Sequence, residues 1–354
     1  MADDSEALKK QILNARKKHQ KLNIVGGGTK GFMGRESDSD AETLSLAEHT
    51  GIVEYYPVEL IMTARAGTPI SVIETVLAEE GQCLHFEPPR FGDASTLGGT
   101  LACNLSGPAR PWSGSVRDQV LGIRLLNGKG EHLRFGGQVM KNVAGYDVSR
   151  LQAGAMGTLG AITEISLKVM PMPASSMTLV EEMPIEDVVK YMNQRAGESK
   201  PITAAAWVDG KVYLRLSGAK SAVEATAEKW SGEVMEQGDA FWQQLQHMQH
   251  DFFAGDEPLW RFSVGSTAVN PELDGPWLID WAGSQRWYRG EADMAQIETM
   301  AQRAGGQVSL FRGGDRTDEV MHSQPQALQA IQKRLKESFD PDSIFNPGRL
   351  YSWL

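Results

Sequence analysis

A run of glycines near the start of the chain constrains the fold more than any other feature. Residues 26–31 read Gly-Gly-Gly-Thr-Lys-Gly and directly follow residues 22–25, an apolar stretch that predicts a short strand. Because glycine has no Cβ atom, consecutive backbone N–H groups can point into one concavity and hold a phosphate group. The spacing fits neither the Rossmann fingerprint nor the P-loop consensus, so a purely structural glycine turn remains open at this point.

Three later segments repeat this backbone-dominated character in a fixed order. They are residues 95–99 (Ser-Thr-Leu-Gly-Gly), 104–107 (Asn-Leu-Ser-Gly) and 157–164 (Gly-Thr-Leu-Gly-Ala-Ile-Thr-Glu). Residues 91–114 as a whole are rich in Gly, Ser, Thr and Pro and carry little charge, which is unusual for a surface loop. We therefore predict that the backbone of this segment wraps a ligand.

Hydrophobic periodicity predicts an α+β chain with a boundary near residue 173. Strands are expected at 61–64, 120–126, 132–135 and 161–169, with Pro171 and Pro173 after the last of them. Seven of the nine tryptophans fall between residues 207 and 287, which indicates a separate aromatic-rich unit. The predicted division is residues 1–173, a smaller α+β cap at 174–305, and a C-terminal helix and return segment at 306–354.

Composition excludes several classes of protein. A formal net charge of −10 argues against binding nucleic acid or an anionic membrane surface, and no apolar run approaches the roughly 18 residues of a membrane helix. Cys83 and Cys103 are isolated from any paired Cys or His spacing, so no metal site is predicted. The charged N-terminus has no secretory pattern, and a cytoplasmic location is expected, with any contact to the inner membrane made through partners.

With the four segments in register, the chain is identified as resembling the vanillyl-alcohol oxidase and p-cresol methylhydroxylase superfamily. The resemblance covers about residues 20–172 and the Asn-Pro-Gly-Arg sequence at 346–349. It implies a two-subdomain FAD-binding domain followed by a cap. Carried over one position at a time, the resemblance implies five groups of FAD contacts. The pyrophosphate would lie against Gly26, Gly27, Gly28, Thr29, Lys30 and Gly31, and a second wall would consist of Pro88, Thr96, Leu97, Gly98 and Gly99. The isoalloxazine would lie along Asn104, Ser106 and Gly107, the adenosine half against Gly157, Gly160 and Ile162, and the C-terminal return would contribute Asn346 and Arg349.

Two features of the sequence indicate how the flavin is bound and which branch of the superfamily the chain resembles. Covalent members attach the flavin through a His or Cys, often a His within the glycine loop, and this loop offers only Thr29 and Lys30, which implies noncovalent FAD. Residues 141–147 are similar to a stretch in the glycolate and D-lactate dehydrogenase branch, although Tyr146 and Asp147 could equally form a buried hydrogen-bonded pair. For Arg349, a structural salt bridge is an equal alternative to cofactor contact.

The chain departs from the catalytic members of that branch. Those members carry an HxGDGNxH motif and a later GEHG motif, whose imidazoles serve proton abstraction and metal or substrate contact, and this sequence has neither. His247 and His250 are close in sequence and are expected on a solvated helix face. No catalytic residue is predicted.

The overall resemblance is to the FAD-binding subunits of bacterial glycolate oxidase complexes. It implies a catalytic FAD subunit and an iron–sulfur subunit as partners, oxidation of a small 2-hydroxy acid, glycolate, to glyoxylate by the complex, and no activity of this chain alone. Two alternatives stay open. One is a stand-alone FAD-dependent 2-hydroxy-acid oxidoreductase that binds the substrate carboxylate through Arg261, Arg286 or Arg289, and the other is a non-redox scaffold with a vestigial flavin site.

Overall fold

The structure is a computed structural model that describes residues 3–137 and 147–354. The stretch at 141–147 therefore lies outside the described residues except for Asp147. This aspartate is exposed, and its side chain accepts a hydrogen bond from the Arg150 amide at 3.1 Å at the start of a short helix. Within the described ranges, no helix combines the length and the apolarity that crossing a membrane requires.

The first half of the chain alternates short helices and strands. In chain order its elements are α1 (Ser5–Lys18), β1 (Leu22–Val25), β2 (Glu42–Ser45), β3 (Ile52–Tyr56), β4 (Ile61–Arg65), α2 (Ile70–Glu79), β5 (Gln82–Cys83), α3 (Leu97–Ala102), α4 (Arg110–Ser113), α5 (Val116–Gln119), β6 (Val120–Leu126), β7 (His132–Gly136), α6 (Val148–Leu151), β8 (Ala161–Lys168) and β9 (Met170–Pro171).

The second half has longer strands and helices. Its elements are β10 (Ser175–Glu182), α7 (Ile185–Ala196), β11 (Ile202–Val208), β12 (Lys211–Gly218), α8 (Lys220–Ala227), β13 (Glu233–Val234), α9 (Gly238–Gln246), β14 (Leu259–Ser263), β15 (Trp277–Asp280), β16 (Gln285–Arg289), α10 (Met294–Arg303), β17 (Gln307–Arg312) and α11 (Gln326–Phe339).

An antiparallel sheet frames the first half. Its order among the described strands is β3-β4-β8-β6-β7, and β6 and β7 form the hairpin predicted from the sequence. Helix α2 buries Ile70, Ile73 and Leu77, which recur at helical spacing and pack into the same aliphatic core as Leu97 and Leu101 of α3. β1 and β2 lie apart from this sheet as a parallel pair, which leaves the carboxyl end of β1 open for the glycine loop.

A larger antiparallel sheet frames the second half. Its order among the described strands is β13-β10-β12-β11-β15-β16-β14-β17. The core against it is rich in aromatic residues, including Trp230, Trp260, Trp277 and Tyr288. The predicted division at 305/306 falls just before β17, so this sheet takes its edge strand from the segment assigned to the C-terminal return.

Side chains and backbone join the two halves. Trp281 donates a hydrogen bond from Nε1 to the Gly107 carbonyl at 2.9 Å, and Arg215 pairs with Glu87 at 2.6 Å. After α11 the chain returns to the first half, where the Leu22 amide donates to the Ile344 carbonyl at 2.7 Å. The C-terminal segment thus runs beside β1.

The segment at 91–114 is more regular than the sequence indicates. It contains helices α3 and α4, and Thr96 caps α3 with its hydroxyl accepting a hydrogen bond from the Gly99 amide at 3.2 Å. A six-residue helix with two glycines has too short a hydrophobic period to be seen in the sequence, and it is stabilised by packing instead.

Candidate cofactor site

A cleft of about 250 Å³ opens at the carboxyl end of β1, between the glycine loop, helix α3 and the loop that precedes β8. Most of the residues predicted to contact the cofactor line it. They are Gly26, Gly27, Gly28, Thr29, Lys30, Gly31, Thr96, Gly98, Gly99, Gly157, Gly160, Ile162, Asn346 and Arg349. The fold therefore brings four distant parts of the sequence to one cleft.

Residues 26–30 all line this cleft, and their five backbone N–H groups are consecutive along the chain. None of these groups donates a hydrogen bond to an acceptor within the described residues. The run ends at Gly31, whose amide donates to the Gly28 carbonyl at 3.4 Å. Gly28 is exposed and the other four residues are only partly buried, so these donors are open to a ligand rich in acceptor oxygens, and to an anion above all.

Lys30 adds a full positive charge to the same place. Its side chain lines the cleft, and its Nζ lies 5.9 Å from the centre of the Phe91 ring. Burial lowers the pKa of the Lys30 ammonium, and the one acid that opposes this effect is the Cys103 thiol. No carboxylate of the described residues compensates this cation, so an anionic ligand would stabilise it.

Glycines in the loop and in α3 permit close approach between backbone segments. A Cβ atom on Gly27 would lie 1.6 Å from the Ala94 carbonyl oxygen, and one on Gly26 would lie 2.5 Å from the Thr96 hydroxyl. A Cβ on Gly98 would lie 2.7 Å from the Cβ of Ala66. Gly98 thus serves the packing of α3 against the end of β4 as well as lining the cleft.

Asn346 joins two walls of the cleft. Its carboxamide oxygen accepts a hydrogen bond from the Ile24 amide at 2.7 Å, and its Nδ2 donates to the Met156 carbonyl at 2.6 Å. The residue adopts a φ of +40°, a conformation that asparagine tolerates better than most residues. Both polar atoms are thereby used, so Asn346 shapes the cleft and has little left to offer a ligand.

Arg349 fixes the glycine loop from the other side. Its guanidinium donates to the carbonyl oxygens of Gly31 at 2.7 Å and Arg35 at 2.5 Å, and to the Ser37 hydroxyl at 2.8 Å. These acceptors are neutral, and no carboxylate within the described part of the chain forms an ion pair with it. The structural salt bridge considered from the sequence is therefore not formed within the described residues, and contact of Arg349 with a cofactor stays a prediction.

Comparison with known proteins gives a consistent result. A family described as "FAD binding domain" matches residues 1–136. Glycolate oxidase subunit GlcE of Escherichia coli (strain K12) is 44% identical over 352 residues, which cover 99% of each chain. The chain belongs to the GlcE family of glycolate oxidase subunits.

Two further proteins are similar to this GlcE-family chain at lower sequence identity. Glycolate oxidase subunit GlcD of Bacillus subtilis (strain 168) is 30% identical over 172 residues, which cover 48% of this chain and 36% of that protein. The structure of an alkyldihydroxyacetonephosphate synthase superposes with a TM-score of 0.66 at 17% identity, over 97% of this chain and 75% of that one. The predicted α+β class with a p-cresol methylhydroxylase-type FAD-binding fold is confirmed.

Five predicted residues of the GlcE-family chain lie outside the cleft. Leu97 is fully buried in the core, the Pro88 carbonyl accepts a hydrogen bond from Gln246 at 3.1 Å, and the Ser106 hydroxyl accepts one from the Val116 amide at 3.0 Å. Gly107 packs against Glu87 and Gln246. Asn104 differs from these, because its carboxamide oxygen is buried with no partner in the described chain, at a φ of +50°.

Other residues that line the cleft were missed from the sequence. They include Ser37, Ala66, Cys103 and Met156. Cys103 lies between the predicted segments 95–99 and 104–107, so its place in the sequence could have identified it as a residue of the cleft. The others come from loops whose path only the fold determines.

His247 and His250 do not share a helix face. Helix α9 ends at Gln246, so His247 is its C-cap, and the Nδ1 atom of His247 accepts a hydrogen bond from the Arg90 amide at 3.2 Å. Burial lowers the pKa of His247 to about 4. His250 begins the next turn, where its ring accepts a hydrogen bond from the Phe252 amide at 3.2 Å. The expectation of a solvated helical pair is therefore wrong, since the helix ends earlier than the pattern indicates.

Proposed function

We propose that the cleft binds FAD without a covalent bond, and that the chain is the FAD-binding subunit of a complex that oxidises glycolate to glyoxylate and passes electrons to an iron–sulfur partner. The observation that carries the FAD assignment is the run of backbone N–H groups at residues 26–30, which lacks acceptors within the described chain and lies beside the Lys30 cation. Full-length similarity to GlcE and partial similarity to GlcD, which carry the names of two glycolate oxidase subunits, support the complex.

The residues of the cleft fit the parts of this cofactor. Bound FAD would supply hydride and electron acceptance, which no protein side chain provides. The loop N–H groups and Lys30 would hold the pyrophosphate, and Thr29 keeps the loop in place because its hydroxyl lies 3.0 Å from that of Ser95. Gly157, Gly160 and Ile162 would face the adenosine half.

The isoalloxazine would lie toward residues 104–107. The unpartnered carboxamide oxygen of Asn104 offers one acceptor for a ring N–H. Ser106 and Gly107 would act through backbone, because the Ser106 hydroxyl already accepts from Val116. Pro88 and Leu97 would support this wall from behind.

The raised pKa of the Cys103 thiol supports noncovalent binding of FAD. Cys103 lines the cleft, so a thioether to the flavin is the competing chemistry. Burial raises the pKa of the Cys103 thiol, although Lys30 and Arg349 oppose that shift. Because the thiolate is the nucleophile, a thiol held in its neutral form reacts slowly.

The absence of the HxGDGNxH and GEHG motifs from the sequence supports the view that the chain is inactive alone. Oxidation of a hydroxy acid needs a base within hydrogen-bond reach of the hydroxyl proton, and losing such a base costs about 10² to 10⁴ in rate. No histidine of the described chain lines the cleft. A catalytic FAD subunit would supply the base, and contacts with the partners would account for any association with the inner membrane.

Anaerobic reduction tests this proposal. Glycolate is added to the purified FAD-loaded chain and to a preparation co-expressed with a catalytic flavin subunit and an iron–sulfur subunit. We expect the lone chain to stay oxidised and the assembled complex to lose its flavin absorbance. Rapid bleaching of the lone chain would favour the stand-alone oxidoreductase, and a chain that takes up no FAD would favour the vestigial scaffold.

A further inference from the structure

A lysine and an aspartate form a buried ion pair at the end of the last helix. Lys336 is the one buried residue of α11, and Asp340, four residues later, is completely buried. The Nζ atom of Lys336 lies 2.8 Å from Oδ2 of Asp340. A helix on the surface of a protein normally buries an apolar stripe, and lysine is almost never buried unless it is paired. The charge at this position therefore needs an explanation beyond packing.

The Lys336 ammonium has three N–H donors and makes three hydrogen bonds. Besides its bond to Asp340, it donates to the carbonyl oxygens of Thr158 at 2.8 Å and Phe345 at 2.7 Å. Asp340 in turn accepts hydrogen bonds from the amides of Ile344 at 3.1 Å and Phe345 at 2.8 Å. Burial lowers the pKa of the Lys336 ammonium, and Asp340 opposes that shift. The pair thus joins the end of α11 to two other segments of the chain.

Both of these segments are walls of the cofactor cleft. The loop at 157–160 contributes two glycines to the lining of the cleft, and the return at 344–346 contributes its last residue. Lys336 and Asp340 do not line the cleft themselves. Any effect of the pair on a ligand must therefore act through the loop and the return.

The carbonyl oxygens on both sides of Gly157 are held by side chains from the C-terminal part of the chain. Asn346 donates from Nδ2 to the Met156 carbonyl at 2.6 Å, and Lys336 donates to the Thr158 carbonyl. Gly157 has a φ of +75°, and glycine can adopt many other conformations as well. Because a peptide unit is planar, fixing its carbonyl also fixes its N–H group. The Gly157 amide donates to no acceptor within the described residues, so these contacts fix the direction of a donor that is open to a ligand.

The pair contributes direction more than stability. Burying a lysine and an aspartate together adds little net stability, because the cost of removing two charges from water offsets their attraction. Apolar side chains of similar volume would pack the end of α11 about as well. They would not hold the carbonyl oxygens of two cleft walls at fixed positions, as the Lys336 ammonium does.

We propose that Lys336 and Asp340 are positioning residues for the cofactor, which hold the loop at 157–160 against the return at 344–346 so that the adenosine half of FAD fits between them. The inference rests on the proposed function for the identity of the ligand. It adds two residues that the ligand does not touch. Without the pair the loop is free to move, and FAD has to order it again on binding, at a cost in affinity.

Fluorescence titration of the flavin-free, full-length chain tests this role. The variant carries Lys336→Met and Asp340→Asn together, because removing one partner alone would leave a buried charge without compensation. We expect its affinity for FAD to fall about 10- to 100-fold. Affinity for FMN, which has no adenosine half, should change by less than about threefold. A purely structural pair would weaken both ligands alike or neither.

Two controls separate positioning from general destabilisation. Val223→Ala removes part of a fully buried side chain of α8, in the second half of the chain, and should lower stability without changing FAD affinity. Lys220→Met with Glu224→Gln removes an exposed lysine–carboxylate pair of the same i, i+4 spacing and should change neither quantity. Equal loss of FAD affinity in Val223→Ala and in the Lys336 and Asp340 double variant would overturn the inference.

The wild-type chain provides a measurement that does not depend on the folding of any variant. Hydrogen exchange of its backbone amides is followed by mass spectrometry with and without FAD. We expect FAD to slow exchange in residues 157–160 and in residues 344–346 together with the glycine loop. Slowing confined to the glycine loop would contradict a role of the pair in binding.

The outcomes also separate this inference from the FAD assignment. A wild-type chain that takes up no FAD would remove the proposed function. A wild-type chain that binds FAD, beside a folded double variant that binds it within about threefold, would leave the FAD site standing and overturn the role of Lys336 and Asp340.

Discussion

The cleft beside the glycine loop differs from a small cavity between the two halves of the chain, which Arg261, Asp280 and Gln285 line. The two sites differ in whether backbone or side-chain groups face a ligand. In the cleft, the proposed anion-binding groups are backbone N–H groups of residues 26–30, and Lys30 and Arg349 are the charged side chains that line it among the described residues. In the cavity, side chains of three neighbouring strands provide the charge and the hydrogen bonds. The conformation of the backbone determines the cleft, whereas the identity of a few side chains on a regular sheet determines the cavity.

This difference determines how each site can be removed. A backbone N–H group survives every substitution except proline, so only a displacement of the chain disrupts the cleft. A guanidinium is removed by one change that leaves the strand in place. Substitutions in the cleft should therefore have their greatest effect where a new Cβ atom pushes two backbone segments apart.

The largest effect is expected for Gly27→Ala. Its Cβ would lie 1.6 Å from the Ala94 carbonyl oxygen, so the loop must move and its N–H groups lose their common direction. We expect FAD affinity to fall at least about 100-fold, with a loss of about 1–3 kcal/mol in the free energy of unfolding. Fluorescence titration with FAD and urea denaturation measure the two effects.

A glycine outside the cleft provides the control for this change. Gly197 is exposed after α7, and a Cβ there would be no closer than 3.4 Å to its neighbours. Gly197→Ala should leave FAD affinity unchanged. If Gly27→Ala binds FAD within about threefold of the wild type, the loop does not hold the pyrophosphate.

A smaller effect is expected for Lys30→Met. This change keeps the apolar stem and removes the one charged side chain of the loop, so FAD affinity should fall about 10- to 100-fold. The remaining affinity should depend less on ionic strength than that of the wild type. Lys129→Met, at an exposed lysine in the turn between β6 and β7, controls for loss of a surface charge. Equal affinities in Lys30→Met and Lys129→Met would argue that the backbone alone binds the anion.

The smallest effect is expected for Cys103→Ala. Because burial raises the pKa of the Cys103 thiol, we expect no thioether, and acid precipitation should release all flavin from both the wild type and the variant. The absorbance of the washed pellet is the measurement. Flavin retained in the wild-type pellet and absent from the Cys103→Ala pellet would show a covalent bond.

The glycine loop at 26–31 indicated a ligand site from its residues, because a backbone-built site depends on glycine. The segments near 98 and 157 were assigned to the same site by the family resemblance, and they line the same cleft. The hydrogen-bonding roles of individual side chains were harder to predict from the sequence. The sequence does not show, for example, that Pro69 is the N-cap of α2 while the Thr68 hydroxyl accepts a hydrogen bond from the Gly51 amide at 2.9 Å. A tertiary contact from a distant loop has no local signal.

The cavity could not be predicted from the sequence for a related reason. Arg261, Asp280 and Gln285 are separated by turns and strands, and each is an ordinary residue for a sheet. They meet because β14, β15 and β16 are paired in register. Arg261, Arg286 and Arg289 looked equivalent in the sequence, and only their hydrogen-bond partners distinguish them.

The contacts of Asn346 and Arg349 have a consequence for the order of events during synthesis. Both residues complete the cleft around the end of β1 and the glycine loop, yet the ribosome adds them after the whole of the second half. Among the described residues, that half lends no side chain to the cleft between Ile162 and Asn346. A nascent chain with only its first half folded therefore has an unfinished cleft, even though domains usually fold as they emerge. Completion of the cleft is then a late event, because it requires residues 346–349 to reach the end of β1 and the glycine loop.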